Sequence, residues 1–498
     1  MKVTTDNTVF ENGYFIEKSP NSEATNFSSP EREFVFTSSD DKSLLYSVGD
    51  LIRNARSSIK LCAFILSYEP IVLLLEEILR SGNVAVFILT SVKGQELTSN
   101  MLSEEETDIK ERNRHLEHIA RLASGGAHIR ASGMAHAKFV VTDRNKALVM
   151  TANLTEPSLF ANKNNLPPNP ESGILIETAS EVGNLDALFD AVYLYGTEFR
   201  EFELQDGKHQ YIRQVTPDLT KSDLPIKQSR LTWTAASHDQ HLLNDIINLI
   251  DQAQSEVLIS TFSIRELQQL TNLSETIKEA IQRGVSIYIF CRAMNYREDH
   301  LEACLELFNI GCRISGDSFN HAKGILVDKQ KGILFTANID GIHGLLSGFE
   351  VGVFLSEEDK GFIGFKSFMQ YQKQHAPFEF KKSISKSALD QFYKEYYRQR
   401  NTKLPYFPQK IELVVRSNAQ YYQQLIAAIA AQPIYYNIKR QKDGKSERII
   451  FEIGGQHYEL ETLNAIKYAV KNKVDKKNVP RERFFLPYTE IQISTYES

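Results

Sequence analysis

The octet HAKFVVTD occupies His136–Asp143, and HAKGILVD occupies His321–Asp328, 185 residues further along the chain. Side chains alternate between the two faces of a β-strand. His136 and Lys138 therefore share one face, and His321 and Lys323 do likewise. Parity turns Asp143 and Asp328 to the opposite face, where they are expected to anchor a turn or a neighbouring backbone rather than orient the imidazole. An imidazole beside an ammonium on a firm strand suits a substrate with negative charge next to the atom under attack. One H-x-K tripeptide says almost nothing, but two octets at matched spacing say that a design is used twice.

The duplication extends in both directions. Downstream, KALVMTAN and KGILFTAN read as second apolar strands, and Asn153 and Asn338 each lie 17 residues beyond their histidine. An antiparallel return would bring each amide, and the hydroxyls of Thr151 and Thr336, back beside the imidazole. PESGIL and FEVGVF then place Glu171 and Glu350 ahead of further apolar strands. These two carboxylates are the candidates for fixing each imidazole's tautomer and raising its basicity. Upstream, SLLYSVGDLIRNARSSIKLCAFIL (Ser43–Leu66) and HLLNDIINLIDQAQSEVLISTFSI (His241–Ile264) both read as an amphipathic helix running into a β-rich strand. Glu69–Thr90 and Ser274–Cys291 repeat the helix-then-strand pattern, with Gly82 and Gly284 as C-cap glycines. A third helix follows in each copy. Helices alternating with strands predict α/β layers around a mostly parallel sheet.

Two copies of H-x-K-x4-D, each followed by T-A-N, resemble the phospholipase D superfamily, whose signature is H-x-K-x4-D and then G-[S/T]-x-N. The resemblance covers about residues 35–380. Met150 and Phe335 stand where the family usually has glycine, and Thr151 and Thr336 replace the commoner serine. The insertion KNNLPPN (Lys163–Asn169) has no counterpart in the second copy and is expected to reshape the pocket rim. The resemblance implies two similar halves, each a mixed sheet flanked by helices, related by a pseudo-twofold axis around one site. It also implies phosphodiester cleavage through a covalent phosphohistidine, with no metal and no cofactor. One neutral imidazole attacks phosphorus while the other, protonated, serves the leaving oxygen and then activates water. By resemblance His136 is the nucleophile and His321 the acid. Lys138, Lys323, Asn153, Asn338 and the hydroxyls of Thr151 and Thr336 would hold the phosphoryl oxygens.

A chain of 498 residues has room for two or three domains. The expected division is a flexible arm (1–34), the first half (35–204), a polar linker (205–230), the second half (231–380), a connecting helix (381–403) and a small α+β domain (404–498). In that last segment KIELVVR, PIYYNIKRQ, ERIIFEI and QHYELET read as strands, KDGK as a hairpin turn, and AQYYQQLIAAIAAQ and TLNAIKYAVKNKV as helices. No run approaches the roughly 20 apolar residues that span a bilayer. The first residues lack a secretion-signal pattern, so a cytoplasmic location is expected. Cys62, Cys291, Cys304 and Cys312 form no C-x-x-C pair and read as buried free thiols in preference to a disulfide frame or a zinc site. His115 and His118 in RHLEHIA read as a solvated helix face in preference to a metal site, and His343 as a loop histidine.

The net charge is −6, yet residues 378–498 hold 21 Lys and Arg against 13 Asp and Glu, a net of +8 that leaves −14 for the rest. A basic, Tyr-rich quarter on an acidic body points to a polyanionic partner. FYKEYYRQR and IYYNIKRQK could supply phosphate contacts and stacking surfaces; a packed or solvated surface is the plainer alternative. Tyrosyl-DNA phosphodiesterases usually lack the motif aspartate that this chain keeps twice. The leading expectation is a phosphodiesterase acting on DNA or RNA, as in bacterial restriction or anti-phage defence. The alternative is a soluble phospholipase or phosphatidyl transferase at a membrane surface, with FILSYEPIVLLL and IDGIHGLLSGF as its apolar rim. A third reading is a non-hydrolytic scaffold that docks a protein through its C-terminal domain. Both motifs lie in one chain, so the pocket needs no dimer and the oligomeric state stays open.

Overall fold

In helix Ser43–Asn54 the residues Leu44, Val48, Leu51 and Ile52 recur at helical spacing and are all buried. The helix delivers the chain into strand Ser58–Ala63, and helix His241–Asp251 delivers it into Glu256–Ser260 in the same way. Gly82 takes the left-handed conformation (φ 69°) that closes helix Glu69–Ser81, its N–H reaching Leu79 O at 3.1 Å. Gly284 (φ 93°) does the same beyond helix Thr271–Gln282.

The computed structural model describes residues 9–10, 13–18, 27–91, 109–161, 167–205, 208–221, 224, 229–236, 239–295, 297–385, 388, 391–392, 395, 410–416, 436–443 and 446–453. They divide into two compact units, one of Met1–Ala293 with Asp299–Ser385 and one of Met294–Glu298 with Lys386–Ser498.

The first unit holds both halves. In one sheet the strand order is Lys208–Gln214, Phe199–Gln205, His128–Ala131, Ala85–Thr90, Ser58–Ala63, Phe139–Thr142, Lys146–Met150, Glu171–Ile176, Phe34–Thr37. The other sheet runs Asp239–Gln240, Leu231–Ala235, Phe349–Ser356, Lys331–Phe335, Gly324–Val327, Glu256–Ser260, Ser286–Arg292, Arg313–Asp317, Phe378–Lys381, Tyr14–Glu17. Eight strands of each sheet correspond one to one, from Phe199–Gln205 through Phe34–Thr37 in the first and from Phe378–Lys381 through Leu231–Ala235 in the second. Parallel pairing is confined to three neighbours in each, such as Ser58–Ala63, Ala85–Thr90 and His128–Ala131. The sheets are therefore mixed and not mostly parallel, because each motif strand and its return form a tight antiparallel hairpin.

Two expectations about the ends of the halves are corrected. The arm assigned to residues 1–34 contains Tyr14–Glu17, an edge strand on Phe378–Lys381 of the second half, and Val9–Phe10, which pairs with Ile384–Ser385. Unpaired edge strands are exposed to wrong pairing, and this segment covers one. The linker assigned to 205–230 begins with Lys208–Gln214, the outer strand of a hairpin on the first sheet. Its polarity is that of a solvent-facing edge, which composition alone does not separate from a loop.

A common core joins the halves. Phe139 of the first half meets Phe349 of the second edge to face, ring centroids 6.1 Å apart, and Phe36 lies 6.3 Å from Phe368. Burying each such ring contributes about 1.5–3 kcal/mol. The octets differ for a packing reason: Phe139 fills this core, whereas a Cβ at its counterpart Gly324 would come within 2.9 Å of the Phe365 ring. Arg230 adds a polar brace, bonding Glu181 at 2.6 Å and Asp359 at 3.0 Å.

In the second unit Lys410–Arg416, Ser446–Ile453 and Tyr436–Asp443 form an antiparallel sheet in that order, with Asp443 opposite Ser446 where a hairpin at KDGK is expected. The strand QHYELET and both expected helices of 404–498 lie outside the described residues. Of the connecting helix expected at 381–403, Lys381 and Ile384–Ser385 belong instead to strands, Ala388, Gln391, Phe392 and Glu395 are helical, and most of the rest lies outside the described residues. No helix among the described residues is long and apolar enough to cross a membrane.

Candidate active site

Each octet opens as an extended segment and becomes a regular strand only at Phe139 and Gly324. The return strand keeps hold of it through Met150 N–H to Lys138 O (3.0 Å) and Phe335 N–H to Lys323 O (3.4 Å). From beneath, the Cys62 thiol donates to Ala137 O at 3.2 Å, and at the equivalent place the Ser260 hydroxyl donates to Ala322 O at 3.1 Å. These braces fix the peptide between histidine and lysine in both copies.

The motif aspartates sit at the end of the hairpin. Asp143 and Arg144 (φ 55° and 54°), like Asp328 and Lys329 (φ 52° and 61°), supply the two consecutive positive φ angles of a type I′ turn. Asp143 accepts the N–H groups of Arg56, Ser57 and Ser58 and the Ser57 hydroxyl at 2.7–2.9 Å. Asp328 accepts the matching groups of Gln254, Ser255 and Glu256. Burial pushes both carboxyls up, but the hydrogen bonds from those backbone amides outweigh it and hold both below the usual aspartate value.

The histidines meet the glutamates crosswise. His136 of the first half has its Nδ1 2.5 Å from Glu350 Oε1 of the second, and His321 Nδ1 lies 2.7 Å from Glu171 Oε1 of the first. The backbone explains the exchange. Phe349 O accepts the N–H groups of His136 (3.2 Å) and Ala137 (2.7 Å), and Pro170 O accepts that of His321 (3.2 Å). The residue before each glutamate is thus sewn to the opposite histidine, and both imidazoles lie in the seam between the halves. At His136, an Nδ1–H given to the buried Glu350 carboxylate leaves Nε2 as the unprotonated nitrogen of the neutral ring. At His321, Nδ1 lies in close contact with Glu171, and Lys323 Nζ stands 3.1 Å from Nδ1 and 3.3 Å from Nε2.

Lys138 and Lys323 are buried on the same segments, with Nζ 2.6 Å from His136 O and 2.9 Å from His321 O. Asn153 and Asn338 are buried at the ends of the return strands, and the amide oxygen of Asn338 has no hydrogen-bond partner. The threonines stand elsewhere than expected. Thr151 donates to Glu171 Oε2 at 2.6 Å and accepts the Ser172 N–H; Thr336 donates to Glu350 Oε2 at 2.5 Å and accepts the Val351 N–H. With donor and lone pair both engaged, these hydroxyls orient the carboxylates and do not hold phosphoryl oxygens.

Sequence reading missed three further pairs or members. Phe64 lies edge-on to His136 at 4.9 Å, and its counterpart Phe262 lies 5.2 Å from His321. Arg292 stacks over Phe262 at 4.7 Å and donates to Phe319 O (2.9 Å) and Asn320 O (3.3 Å), the carbonyls leading into His321. His115 and His300 form a second symmetric pair. Each Nδ1 accepts a backbone N–H, from Leu66 at 3.0 Å and Ile264 at 3.1 Å, and His300 Nε2 donates to Arg292 O at 3.1 Å. Burial pushes His115 down to about 4, so it is neutral near pH 7. The tripeptide HLE, found 21 residues before each motif histidine, was the available signal.

The solvated face expected for His115 and His118 is corrected: both are buried, and His118 Nε2 lies 2.7 Å from Glu69. Their helix, Ile109–Ser124, turns its charged side onto helix Glu69–Ser81, where Arg121 bonds Glu69 and Glu76. All four cysteines are buried free thiols. Cys291, His300 and Cys304 bring ligand atoms within 4.8 Å of one another. With both His300 nitrogens engaged by backbone, the imidazole has no lone pair to offer a cation. The side chain of His343 lies outside the described residues.

The family model described as "Cardiolipin synthase, PLD-like domain" matches residues 48–193 and 246–371, more than half of the chain. Three solved structures are similar. Phosphatidylserine synthase of Haemophilus influenzae is 16% identical, with 70% of this chain and 88% of that one covered and a TM-score of 0.48. For polyphosphate kinase of Porphyromonas gingivalis the values are 14%, 68%, 48% and 0.44. For the phospholipase D family member Nuc of Salmonella typhimurium they are 17%, 30%, 97% and 0.26. No curated protein matches the sequence.

Proposed function

The chain belongs to the phospholipase D superfamily, whose chemistry is of the phosphodiesterase type, and from that membership we propose that it is a nuclease cleaving DNA or RNA through a covalent phosphohistidine. The observation that carries the reaction class is the crossed pairing of two imidazoles and two buried carboxylates in one seam. In the proposed path, His136 Nε2 attacks phosphorus while Nδ1–H stays on Glu350. The P–N bond forms as the P–O bond to the leaving group breaks, and His321 gives that oxygen its proton. His321, now neutral and held by Glu171, takes a proton from water, whose oxygen attacks phosphorus and returns the electron pair to His136. Lys138 and Lys323 balance the charge that gathers on the phosphoryl oxygens, with Asn153 and Asn338 donating beside them. Nucleic acid is favoured over lipid by the basic, Tyr-rich segment 378–498.

Incubation with single- and double-stranded DNA and with RNA in excess EDTA tests this reading. Cleavage that persists in EDTA and disappears in His136→Ala and His321→Ala supports it. Inertness towards every nucleic acid, together with hydrolysis of a phosphatidyl lipid, overturns it in favour of the lipid alternative.

A further inference from the structure

The two crossings that carry the imidazoles are not built alike, and Arg292 lies in the difference. On the His136 side, Phe349 precedes Glu350 and bonds the opposite half in both senses. Its N–H donates to Met134 O at 2.7 Å, and its O accepts the N–H groups of His136 and Ala137. On the His321 side the residue before Glu171 is Pro170, whose O accepts the His321 N–H at 3.2 Å. A proline has no N–H to give back. Met134 lies two residues before His136, so the carbonyl that a donor at position 170 would meet is that of Phe319, two residues before His321.

Arg292 supplies that donor. Its Nη2 donates to Phe319 O at 2.9 Å and to Asn169 Oδ1 at 3.2 Å, and its Nε donates to Asn320 O at 3.3 Å. Asn169 belongs to the insertion of the first half, adjoins Pro170, and is anchored there by its own N–H to Pro157 O at 2.7 Å. One buried guanidinium therefore grips the chain two residues before Glu171 and the chain leading into His321. The symmetry of the halves shows what is special. Thr90 stands 3.5 Å from His115 Nε2 as Cys291 stands 3.8 Å from His300 Nε2; the next residue is Ser91 in the first half and Arg292 in the second. The arginine is found opposite the proline. Within the second half, Asp317 accepts the Phe319 and Asn320 N–H groups and Gln372 donates to Asn320 Oδ1, so the turn itself is held without Arg292.

We propose that Arg292 is a positioning residue: standing in for the N–H that Pro170 lacks, it holds Glu171 in register with His321 across the seam. Phe262, stacked on the guanidinium at 4.7 Å and 5.2 Å from the His321 ring, keeps the fork in plane. The kinetic consequence rests on the phosphoryl chemistry proposed above; the alignment of carboxylate and imidazole does not. A misplacement of about 1 Å in a reacting group costs up to about 100-fold in rate.

Two readouts on the full chain test it. The first is nitrogen-15 NMR of the histidine rings, with His136 and His321 assigned through their His→Gln variants. Arg292→Ser installs the residue of the first half, and Asn169→Ala removes only the acceptor beside Pro170, so the second serves where the first does not fold. Each should shift the His321 ring nitrogens and leave those of His136 in place. The second readout is burst and turnover on bis(p-nitrophenyl) phosphate. Both variants should slow whichever step Glu171→Gln slows, by roughly 10- to 100-fold in Arg292→Ser, and leave the step that Glu350→Gln slows at its wild-type rate. Pro170→Ala returns an N–H opposite Phe319 O and should restore most of the loss in Arg292→Ser. Unchanged His321 signals, equal movement of both histidines, equal slowing of both steps, or an Arg292→Ser defect untouched by Pro170→Ala overturns the proposal. A His321 shift that Asn169→Ala does not share confines the arginine to its own half and overturns it as well. A wild-type chain that cleaves no phosphodiester removes the proposed function, and the NMR comparison then decides the positioning by itself.

Discussion

Replacing Glu350 by Gln should slow the formation of the covalent intermediate, whereas replacing Glu171 should slow its breakdown. The reason is the crossed geometry. Glu350 lies 2.5 Å from His136 Nδ1, and Glu171 lies 2.7 Å from His321 Nδ1. A glutamine keeps the shape but gives up the charge that stabilises an imidazolium. A hydrogen bond to a charged group is worth about 1.5–3 kcal/mol, and each 1.36 kcal/mol on a barrier is tenfold in rate. Each variant should therefore lose roughly 10- to 150-fold in one step. With bis(p-nitrophenyl) phosphate the leaving p-nitrophenolate needs no proton, so of the two histidine–glutamate pairs only His136 and Glu350 control the burst. Rapid-quench kinetics should show a slow burst in Glu350→Gln. Glu171→Gln should keep its burst, turn over slowly and accumulate phosphohistidine, which mass spectrometry locates on His136. A trapped phosphate on His321 would exchange the two roles and leave the crossed pairing intact. Phosphate on His136 with the burst controlled by Glu171 would refute the pairing itself.

Thr336→Val should slow the same burst as Glu350→Gln, though less, because it frees the outer carboxylate oxygen; the burst rate constant checks this. Asp143→Ala and Asp328→Ala should each cost about 2 kcal/mol in urea denaturation, and equally, since each partly exposed carboxylate takes four matched hydrogen bonds. In acid the same groups act through linkage. Their folded pKa is depressed, so their stabilisation is present above the unfolded aspartate value and is lost as pH falls through the folded one. His115 behaves in the same direction over a higher window: the unfolded chain binds its proton from about 6.5 down to about 4 while the folded chain does not, so stability falls as pH drops across that range. His115→Gln should flatten the urea midpoint between pH 6.5 and 4, and an unchanged slope would count against the buried neutral imidazole. All four thiols should resist DTNB until the chain unfolds.

Much of the site was legible because its parts are local and spelled twice. The alternation of a strand puts His136 with Lys138, and a hairpin of fixed length returns Asn153 to them; the second copy confirms that neither spacing is accidental. The same logic could have found His115 and His300, but single-residue reading took a charged helix face for a solvated one. Polar composition also misled at the edges, where Tyr14–Glu17 and Lys208–Gln214 are strands whose outward face meets water.

From the sequence alone came the duplication, the reaction class and the roster of histidines, lysines, asparagines and glutamates. Tertiary structure decided who partners whom. His136 and Glu350 are separated by 214 positions and meet only because two halves dock through one core, with Phe349 O sewn to the opposite histidine's backbone. Local spacing constrains atoms a few bonds apart, whereas a contact across a docked seam depends on every residue that shapes the two surfaces. For that reason the crossed pairing and the turn of the threonines toward the carboxylates belong to the fold and not to the motif.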